Sequence, residues 1–369
     1  MTYIWELSDW PKLHWQQAQL AGPLAAVRYR QGKLIGHMEA LGFSLRAEAA
    51  LQTLTLDVIK SSEIEGEMLN DGQVRSSIAR HLGMDIAGLK PADRNVDGVV
   101  EMVLDATQNY DKPLTGERLF GWHAALFPTG YSGLRKIRVG IWRDDSEGPM
   151  RVASGAHGHE SVHYEAPPAS RIEREMQLFL EWFNGAEKTD PILRSCIAHL
   201  WFVTIHPFDD GNGRIGRALA DMLLARSEQS TQRFYSMSAQ IRDERDAYYG
   251  GLEKTQKDTL DVTDRLKWFI ACLDKAFDKA EKTLSTVFRK HRFWETYSVY
   301  RFNERQHRII SKLLENFEGK LTSSKYAKIA KCSQDTALRD ILELVKYGAL
   351  KRDPAGGRST SYSLNDCPN

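Results

Sequence analysis

Apolar residues recur at three- and four-residue spacing over most of the first 283 residues, and this pattern predicts amphipathic α-helices. Gly32, Gly36 and Gly42 are expected to break the first of them. The predicted helices cover residues 13–45, 47–64, 73–82, 95–108, 115–126, 173–183, 192–204 and 264–283. Segment 192–204 is apolar on nearly every side, so we expect it to be buried. The pattern indicates a mainly α protein.

The helical spacing stops between residues 133 and 168. Residues 137–142 (IRVGIW) alternate in the manner of a strand, and residues 161–164 (SVHY) are suited to be its return partner in a hairpin. His157, His159 and His163 lie in or beside the connecting loop. Polar loop histidines are more often solvated than bound to a metal, and we expect the same here.

The C-terminal residues follow a different pattern. Three short helices are predicted at 305–314, 323–331 and 334–346, and extended segments at 349–351 and 360–362 flank a basic turn with Gly356, Gly357 and Arg358. Three helices followed by a β-wing resemble a winged helix-turn-helix. From residue 288 onward there are 16 Lys and Arg against nine Asp and Glu, a balance that permits DNA binding. Docking of a protein or dimerisation is the alternative use of such a unit.

Composition sets broad limits. The 369 residues suffice for two or three domains, and a net charge of +1 argues against a general polyanion binder. Cysteines 196, 272, 332 and 367 have no CxxC spacing, which suits a reducing compartment. The first residues lack the features of a signal peptide, and the longest apolar run is too short to span a bilayer. We therefore expect a cytoplasmic protein without membrane association.

The stretch 206–217, HPFDDGNGRIGR, concentrates the candidate chemistry. Its glycines lie where a loop feeds a helix N-terminus, a place that favours anions. Arg214 and Arg217 would then share one helix face and hold successive phosphates, Asp210 would hold Mg²⁺, and His206 would act as a general base. Taken singly, each residue is more often part of an ordinary helix cap, a solvated surface or a core. Their coincidence within twelve residues favours the catalytic interpretation.

This stretch resembles the Fic motif, H-P-F-x-D/E-G-N-G-R-x-x-R, at every defined position. Upstream, Ser61-x-x-x-Glu65-Gly66 looks like the Fic inhibitory motif, S/T-x-x-x-E-G/N. A carboxylate at the end of a helix packed over the phosphate site would pair with Arg217 and withhold it from a γ-phosphate. Because the motif lies on the N-terminal side, the chain resembles the Fic class that is inhibited by a helix preceding the core.

The resemblance implies a fold and a set of site residues. The fold is a Fic helical core (96–286) with a β-hairpin flap, after a helical N-terminal domain (1–95) and before a winged helix-turn-helix (287–369). His206 is then the catalytic base and Asp210 the metal ligand, while Ser61, Glu65 and Gly66 form the inhibitory motif. The flap residues that dock a target as an added strand are Val139, Gly140 and Ile141. The nucleotide-binding residues are Ser62, Gly211, Asn212, Gly213, Arg214, Arg217, Tyr248 and Tyr249.

The implied activity is that of a protein adenylyltransferase, which moves AMP from ATP onto a Ser, Thr or Tyr hydroxyl of a target protein with Mg²⁺. Glu65 could also position a water, so removal of AMP stays open. The alternative is a nucleotide-sensing, DNA-binding transcription regulator. Tyr248 and Tyr249 are suited either to stacking on adenine or to core packing. Phe208 and His123 are expected to be structural, and a homodimer is possible.

Overall fold

The computed structural model describes residues 2–39, 43–84, 90–154, 161–186, 188–314, 317, 319–354 and 360–365. The chain divides into two compact units, Met1–Ala280 and Glu281–Asn369. The three domain ranges expected from the sequence stay a prediction. Within the described part of the chain, every helix is too short or too polar to cross a lipid bilayer.

The first unit is mainly helical. After a short 3₁₀ turn (Ile4–Glu6) come α1 (Gln17–Glu39), α2 (Phe43–Ile64), α3 (Asp71–His81), α4 (Arg94–Gln108), α5 (Gly116–Leu126), α6 (Ala169–Asn184), α7 (Pro191–Ile205), α8 (Asn212–Glu228), α9 (Met237–Asp243) and α10 (Arg245–Gln256). Its strands are β1 (Tyr131–Ser132), β2 (Arg135–Lys136), β3 (Arg151–Ser154) and β4 (Ser161–Glu165), which form two antiparallel pairs, β1 with β2 and β3 with β4. Helix α11 spans Thr263–Thr296.

Side-chain caps start several of these helices where the spacing predicted them. Asn70, Asp93 and Thr115 each accept a hydrogen bond from a backbone N–H in the first turn of α3, α4 and α5. Asp190 caps α7 in the same way, and a proline follows at the first helical position, where its missing N–H costs nothing. These caps accept hydrogen bonds from backbone N–H groups that have no partner within the helix.

Helix α7 lies at the centre of the core. All of its residues except Pro191 and Arg194 are buried, as the apolar pattern predicted. Helix α8 packs along it at a small residue: a Cβ built on Gly216 would lie 2.9 Å from Cγ1 of Val203. The loop at 206–211 joins these two helices, so the motif is carried by two buried helices that pack closely together.

Two helix predictions need correction. Helix α1 continues through Gly32 and Gly36, because the free energy gained by burying its apolar face outweighs about 1 kcal/mol per glycine. Gly42 lies outside the described residues. Helix α11 runs past residue 283 to Thr296, because buried apolar residues recur along the extension: Leu284, Val287 and Phe293, the last in the core of the second unit.

The predicted strand at 137–142 is wrong. Its backbone donors are used by the core: Arg138 N donates to Asp209 Oδ2 (2.8 Å) and Gly140 N donates to His123 Nδ1 (3.1 Å). Gly140 also has φ 71°, which a regular strand does not allow. The partner of β4 is β3, with Arg151 opposite Glu165 and Ser154 opposite Ser161. Alternation alone did not reveal which hydrogen-bond partners the segment would find.

The second unit contains α12 (Glu304–Leu314), α13 (Ser323–Ala330) and α14 (Gln334–Lys346), followed by the antiparallel pair β5 (Leu350–Arg352) and β6 (Tyr362–Leu364). Leu321 forms an additional bridge with Tyr362. The order of elements agrees with the sequence, while the assignment as a winged helix-turn-helix stays a prediction. Gly356, Gly357 and Arg358 lie outside the described residues.

Candidate active site

The loop at 206–211 is held closed by the side chain of Asn212. Its Nδ2 donates to Phe208 O (2.8 Å), and its Oδ1 accepts from Phe208 N (3.0 Å). The Phe208 ring is fully buried, which confirms it as the anchor of the loop. The Asn212 side chain therefore fixes the shape of the loop, and its predicted contact with a phosphate stays a prediction.

His206 lies at the C-terminal end of α7 in the left-handed conformation (φ 52°). Its Nδ1 lies 3.2 Å from Val203 O, and because a carbonyl can only accept, Nδ1 carries the proton. The half-buried ring therefore presents Nε2 as its basic nitrogen. Burial lowers the pKa of His206 to about 4, against the opposing effect of the Val203 carbonyl, so the imidazole is neutral at pH 7.

Arg143, a residue that sequence reasoning did not select, fixes the backbone beside His206. Its Nε donates to His206 O (2.8 Å), and its own amide donates to Pro207 O (2.9 Å). Its Nη2 donates to Pro167 O (2.5 Å), and the side chain is almost fully buried. Two of these carbonyls, those of His206 and Pro207, belong to the loop, so Arg143 helps to hold the loop backbone in place. No local pattern could have identified a partner more than sixty residues away along the chain.

The Asp210 carboxylate lies at the N-terminal end of α8. Oδ1 accepts from Gly211 N (2.5 Å), and Oδ2 accepts from the hydroxyl of Ser132 in β1, a contact that the sequence did not predict. Gly211 has φ 79°, and a Cβ there would lie 2.9 Å from Phe127 Cε2. Glycine is therefore required at this position by both backbone conformation and space.

His123 joins the loop to the segment that was predicted to be the flap. Its Nε2 donates to Asp210 O (3.2 Å), its Nδ1 accepts from Gly140 N, and its ring stacks on Phe208 with centroids 4.2 Å apart. Burial lowers its pKa to about 4, so the neutral ring can make both bonds. The residue is structural, as expected. Next to Gly140, Val139 packs against the core while Ile141 is 43% exposed; their docking role stays a prediction.

Arg214 and Arg217 both lie buried in the first turns of α8. Arg217 Nη2 pairs with Glu65 Oε1 (2.8 Å) and donates to Ser61 O (2.8 Å), and its Nε donates to Ser61 Oγ (3.1 Å). Burial alone would lower the pKa of Arg217, but the Glu65 carboxylate raises it above its ordinary value. Glu65 and Arg217 thus form the ion pair that the sequence predicted, while the inhibitory role of Glu65 stays a prediction.

Arg214 has a carboxylate partner of its own. Its Nη1 donates to Glu67 Oε2 (2.6 Å), and its guanidinium lies 5.0 Å from the centroid of the Phe127 ring. Glu67 follows the inhibitory motif by one residue, and sequence reasoning missed it. The only available signal was the third glutamate in the string SSEIEGE.

The C-terminal turn of α2 orients the carboxylates of Glu65 and Glu67 toward α8. Gly66 adopts φ 86°, with hydrogen bonds from Gly66 N to Glu63 O (3.1 Å) and from Glu67 N to Ser62 O (3.0 Å). These two hydrogen bonds form the pattern of a Schellman C-cap. Glu65 then crosses the first turn of α8, since a Cβ on Gly213 would lie 2.1 Å from Glu65 Oε1. A carboxylate therefore occupies the anion-favouring end of that helix.

Ser62 and the two tyrosines surround the same region. Ser62 is fully buried, and its hydroxyl has no hydrogen-bond partner among the described residues. Tyr248 is buried with its hydroxyl 2.9 Å from His199 Nε2, which matches the core-packing alternative. Tyr249 is half-buried and donates to Glu65 Oε2 (3.2 Å). Contact of any of the three with a nucleotide stays a prediction.

Of the histidines considered as metal ligands, His157 and His159 lie outside the described residues. His163 has both ring nitrogens engaged, Nδ1 with Glu253 Oε2 (2.9 Å) and Nε2 with Ser154 Oγ (2.6 Å). The described part of the chain offers no cluster of three or more His, Cys, Asp or Glu that could hold a metal ion.

Family comparisons agree with this geometry. Residues 113–224 match the Fic/DOC family model. The chain carries a Fic domain. Residues 3–84, which include helix α2, match a second model described as a domain of unknown function (DUF4172).

Two curated relatives match parts of the chain. A probable protein adenylyltransferase of Aquifex aeolicus is 29% identical over 94 residues, or 26% of this chain and 29% of the relative. The protein adenylyltransferase Fic of Nematostella vectensis is 29% identical over 140 residues, or 35% of this chain and 31% of the relative. The chain thus spans less than a third of the length of these two relatives.

Solved structures show the fold over a longer range. A Fic family protein from Desulfovibrio desulfuricans G20 aligns with a TM-score of 0.52 at 21% identity, over 94% of this chain and 97% of that one. A Fic domain containing signaling protein from Bacteroides thetaiotaomicron aligns with a TM-score of 0.52 at 18% identity, over 71% and 97%. The predicted mainly α Fic fold is confirmed.

Proposed function

We propose that this chain is a protein adenylyltransferase that transfers AMP from ATP to a Ser, Thr or Tyr hydroxyl of a target protein. The observation that carries the proposal is the meeting of a neutral imidazole, a carboxylate and two buried arginines at the N-terminus of α8. The names of the two relatives, both adenylyltransferases, support it.

The triphosphate is expected to bind over the first turns of α8. A helix N-terminus favours anions, and guanidinium groups bind phosphate oxygens in pairs. Arg214 would hold the β-phosphate and Arg217 the γ-phosphate, while Asn212 and the amides from Gly211 to Gly213 would lie near the α-phosphate. Arg214 Nε and Arg217 Nη1 are buried without a hydrogen-bond partner among the described residues, which suits groups that receive a ligand.

His206 would act as the general base. Its proton lies on Nδ1, held by Val203, so Nε2 is free to take the proton of the target hydroxyl. The hydroxyl oxygen then forms a bond to the α-phosphorus while the bond to the β-phosphate oxygen breaks, and pyrophosphate leaves. Arg143 keeps the imidazole in position through the carbonyls of His206 and Pro207.

Asp210 suits a magnesium ion, because its half-buried carboxylate lies beside the proposed phosphate site at the end of α8. Magnesium in proteins is usually held by one or two carboxylates together with substrate phosphates. When bound, it would neutralise charge on the phosphates. Asp210 is itself oriented by Ser132 and by the amide of Gly211.

Glu65 would inhibit the enzyme. Its ion pair with Arg217 withholds the guanidinium that the γ-phosphate needs. The alternative direction of the reaction is removal of AMP, in which the same carboxylate would position a water. A target protein would dock beside the active site near Val139, Gly140 and Ile141.

The proposal is tested with ATP that carries a label on its α-phosphate. Wild type should label itself or an added protein weakly, because Glu65 occupies Arg217. Glu65→Gly should label far more strongly, and Glu65→Gly combined with His206→Ala should not label at all. Protein-bound label after denaturing electrophoresis is the measurement.

A matched control is available on the same helix. Glu63 pairs with Lys60 (2.8 Å) instead of a motif arginine, so Glu63→Gln should leave labelling at the wild-type level. Unchanged labelling in Glu65→Gly would contradict the inhibitory role of Glu65. Full labelling in the His206→Ala double variant would contradict the role of the base.

A further inference from the structure

The two arginines of the motif are occupied by two different carboxylates. Glu65 holds Arg217, as its motif predicts, while Glu67 holds Arg214 at 2.6 Å. Glu67 has no place in the inhibitory pattern S/T-x-x-x-E-G/N. Its partner is nevertheless the arginine proposed for the β-phosphate.

The contact with Glu67 depends on the same turn as the contact with Glu65. Glu65 is the residue before Gly66 and Glu67 the residue after it, and the left-handed conformation of Gly66 reverses the chain between them. The amide of Glu67 is fixed by Ser62 O at 3.0 Å, so its position is set by the helix cap. One glycine turn therefore presents two negative charges to α8.

Solvent exposure separates the two members of the pair. The Arg214 side chain is 3% exposed, whereas that of Glu67 is 45% exposed. The buried guanidinium needs an anionic partner, while the carboxylate can leave for water at little cost. A bound phosphate can therefore replace Glu67 without leaving either charge buried and unpaired.

We propose that Glu67 is a second inhibitory carboxylate, which competes with the β-phosphate for Arg214 and so limits admission of any nucleoside diphosphate or triphosphate. This rests on the proposed function. Glu65 has a separate task, because its ion pair is with Arg217, the arginine proposed for the γ-phosphate. The two residues thus act on different steps: Glu67 on binding, Glu65 on the placement of the third phosphate.

The separate roles of Glu67 and Glu65 are tested with two ligands. These are ADP and an ATP analogue with a methylene group between its α- and β-phosphorus atoms. ADP reaches Arg214 and lacks the group that needs Arg217. With ADP and Mg²⁺, Glu67→Gln should lower the dissociation constant about three- to tenfold relative to wild type. Glu65→Gln should change it by less than about twofold. A tenfold change in the dissociation constant corresponds to about 1.4 kcal/mol of binding free energy.

With the ATP analogue, both substitutions should tighten binding, and the effect of Glu65→Gln should be larger than its effect on ADP. Titration calorimetry of the full chain measures both ligands. Glu63→Gln removes the same charge from the same helix end without touching either arginine, so it corrects for the general electrostatic effect. Thermal melts of every variant show whether the fold is kept.

The outcomes separate the two proposals. If ADP binds wild type and Glu67→Gln binds it no better than Glu63→Gln does, the role of Glu67 is overturned while the nucleotide site stands. If no variant binds ADP or the analogue, the nucleotide site itself is overturned, and the role of Glu67 falls with it. A gain confined to Glu67→Gln with ADP supports the proposal.

Discussion

At the scale of single residues, the site depends on two histidines that the fold keeps uncharged. His206 needs a free Nε2 to act as a base, and His123 needs a neutral ring to accept from Gly140 N while donating to Asp210 O. Burial lowers the pKa of both to about 4. Protonating His123 would place a second hydrogen against the amide of Gly140, so acid should loosen the loop that carries Asp210.

The pH dependence of stability follows from this. A histidine with a folded pKa of about 4 and an unfolded pKa of about 6.5 stabilises the fold fully above the higher value. That contribution, on the order of 3 kcal/mol for fully buried His123, should be lost as the pH falls from about 6.5 to about 4. His123→Gln keeps a donor and an acceptor but cannot titrate.

Chemical denaturation at a series of pH values measures the effect. The free energy of unfolding of His123→Gln should fall less steeply over the acid range than that of wild type. Because His206 and the carboxylates also titrate there, the difference between the two slopes is the informative quantity. Identical slopes would show that protonation of His123 does not contribute to the loss of stability in acid.

At the scale of elements, α5 must approach α4 closely in order to deliver His123 to the loop. A Cβ built on Gly98 of α4 would lie 1.8 Å from the carbonyl oxygen of Ala125 in α5. Backbone cannot move aside as a flexible side chain can. The two helices therefore touch at a point where only glycine fits.

Gly98→Ala should destabilise the first unit by about 2 kcal/mol or more, because overpacking exceeds the gain of about 1 kcal/mol in helix propensity. Gly121→Ala is the matched control in α5, since a Cβ there meets nothing within 4 Å. It should be neutral or stabilising by up to about 1 kcal/mol. Thermal or chemical unfolding measures the stability of the two variants. Equal stability would contradict the close packing of α4 against α5.

Local sequence patterns predicted the helices well, because helix formation depends on spacing within a few turns. Most bounds agree within a few residues, and the meeting of Glu65 with Arg217 followed from two motifs. The pattern failed where the partner was distant along the chain. Residues 137–142 alternate like a strand, but their amides bond to His123 and Asp209. Arg143, Ser132 and Glu67 were missed for the same reason.

At the scale of the whole molecule, the two units support different parts of the account. The first contains the residues that match the Fic/DOC model and helix α2, for which we propose an inhibitory role. In the second, α14 exposes Leu338 and Leu342, which are 42% and 54% accessible, on a face that also carries Asp335 and Arg339. A face of mixed charge with two leucines suits a protein surface better than phosphates. The regulator alternative therefore gains no support from this helix.

The most direct test of the central claim is which phosphate reaches the acceptor. Glu65→Gly protein is given ATP labelled at the α-phosphate and, in a parallel reaction, ATP labelled at the γ-phosphate. If α8 holds the triphosphate with His206 beside the α-phosphorus, only the α-label should become bound to protein. Protein-bound γ-label, or no label from either position, would contradict the account.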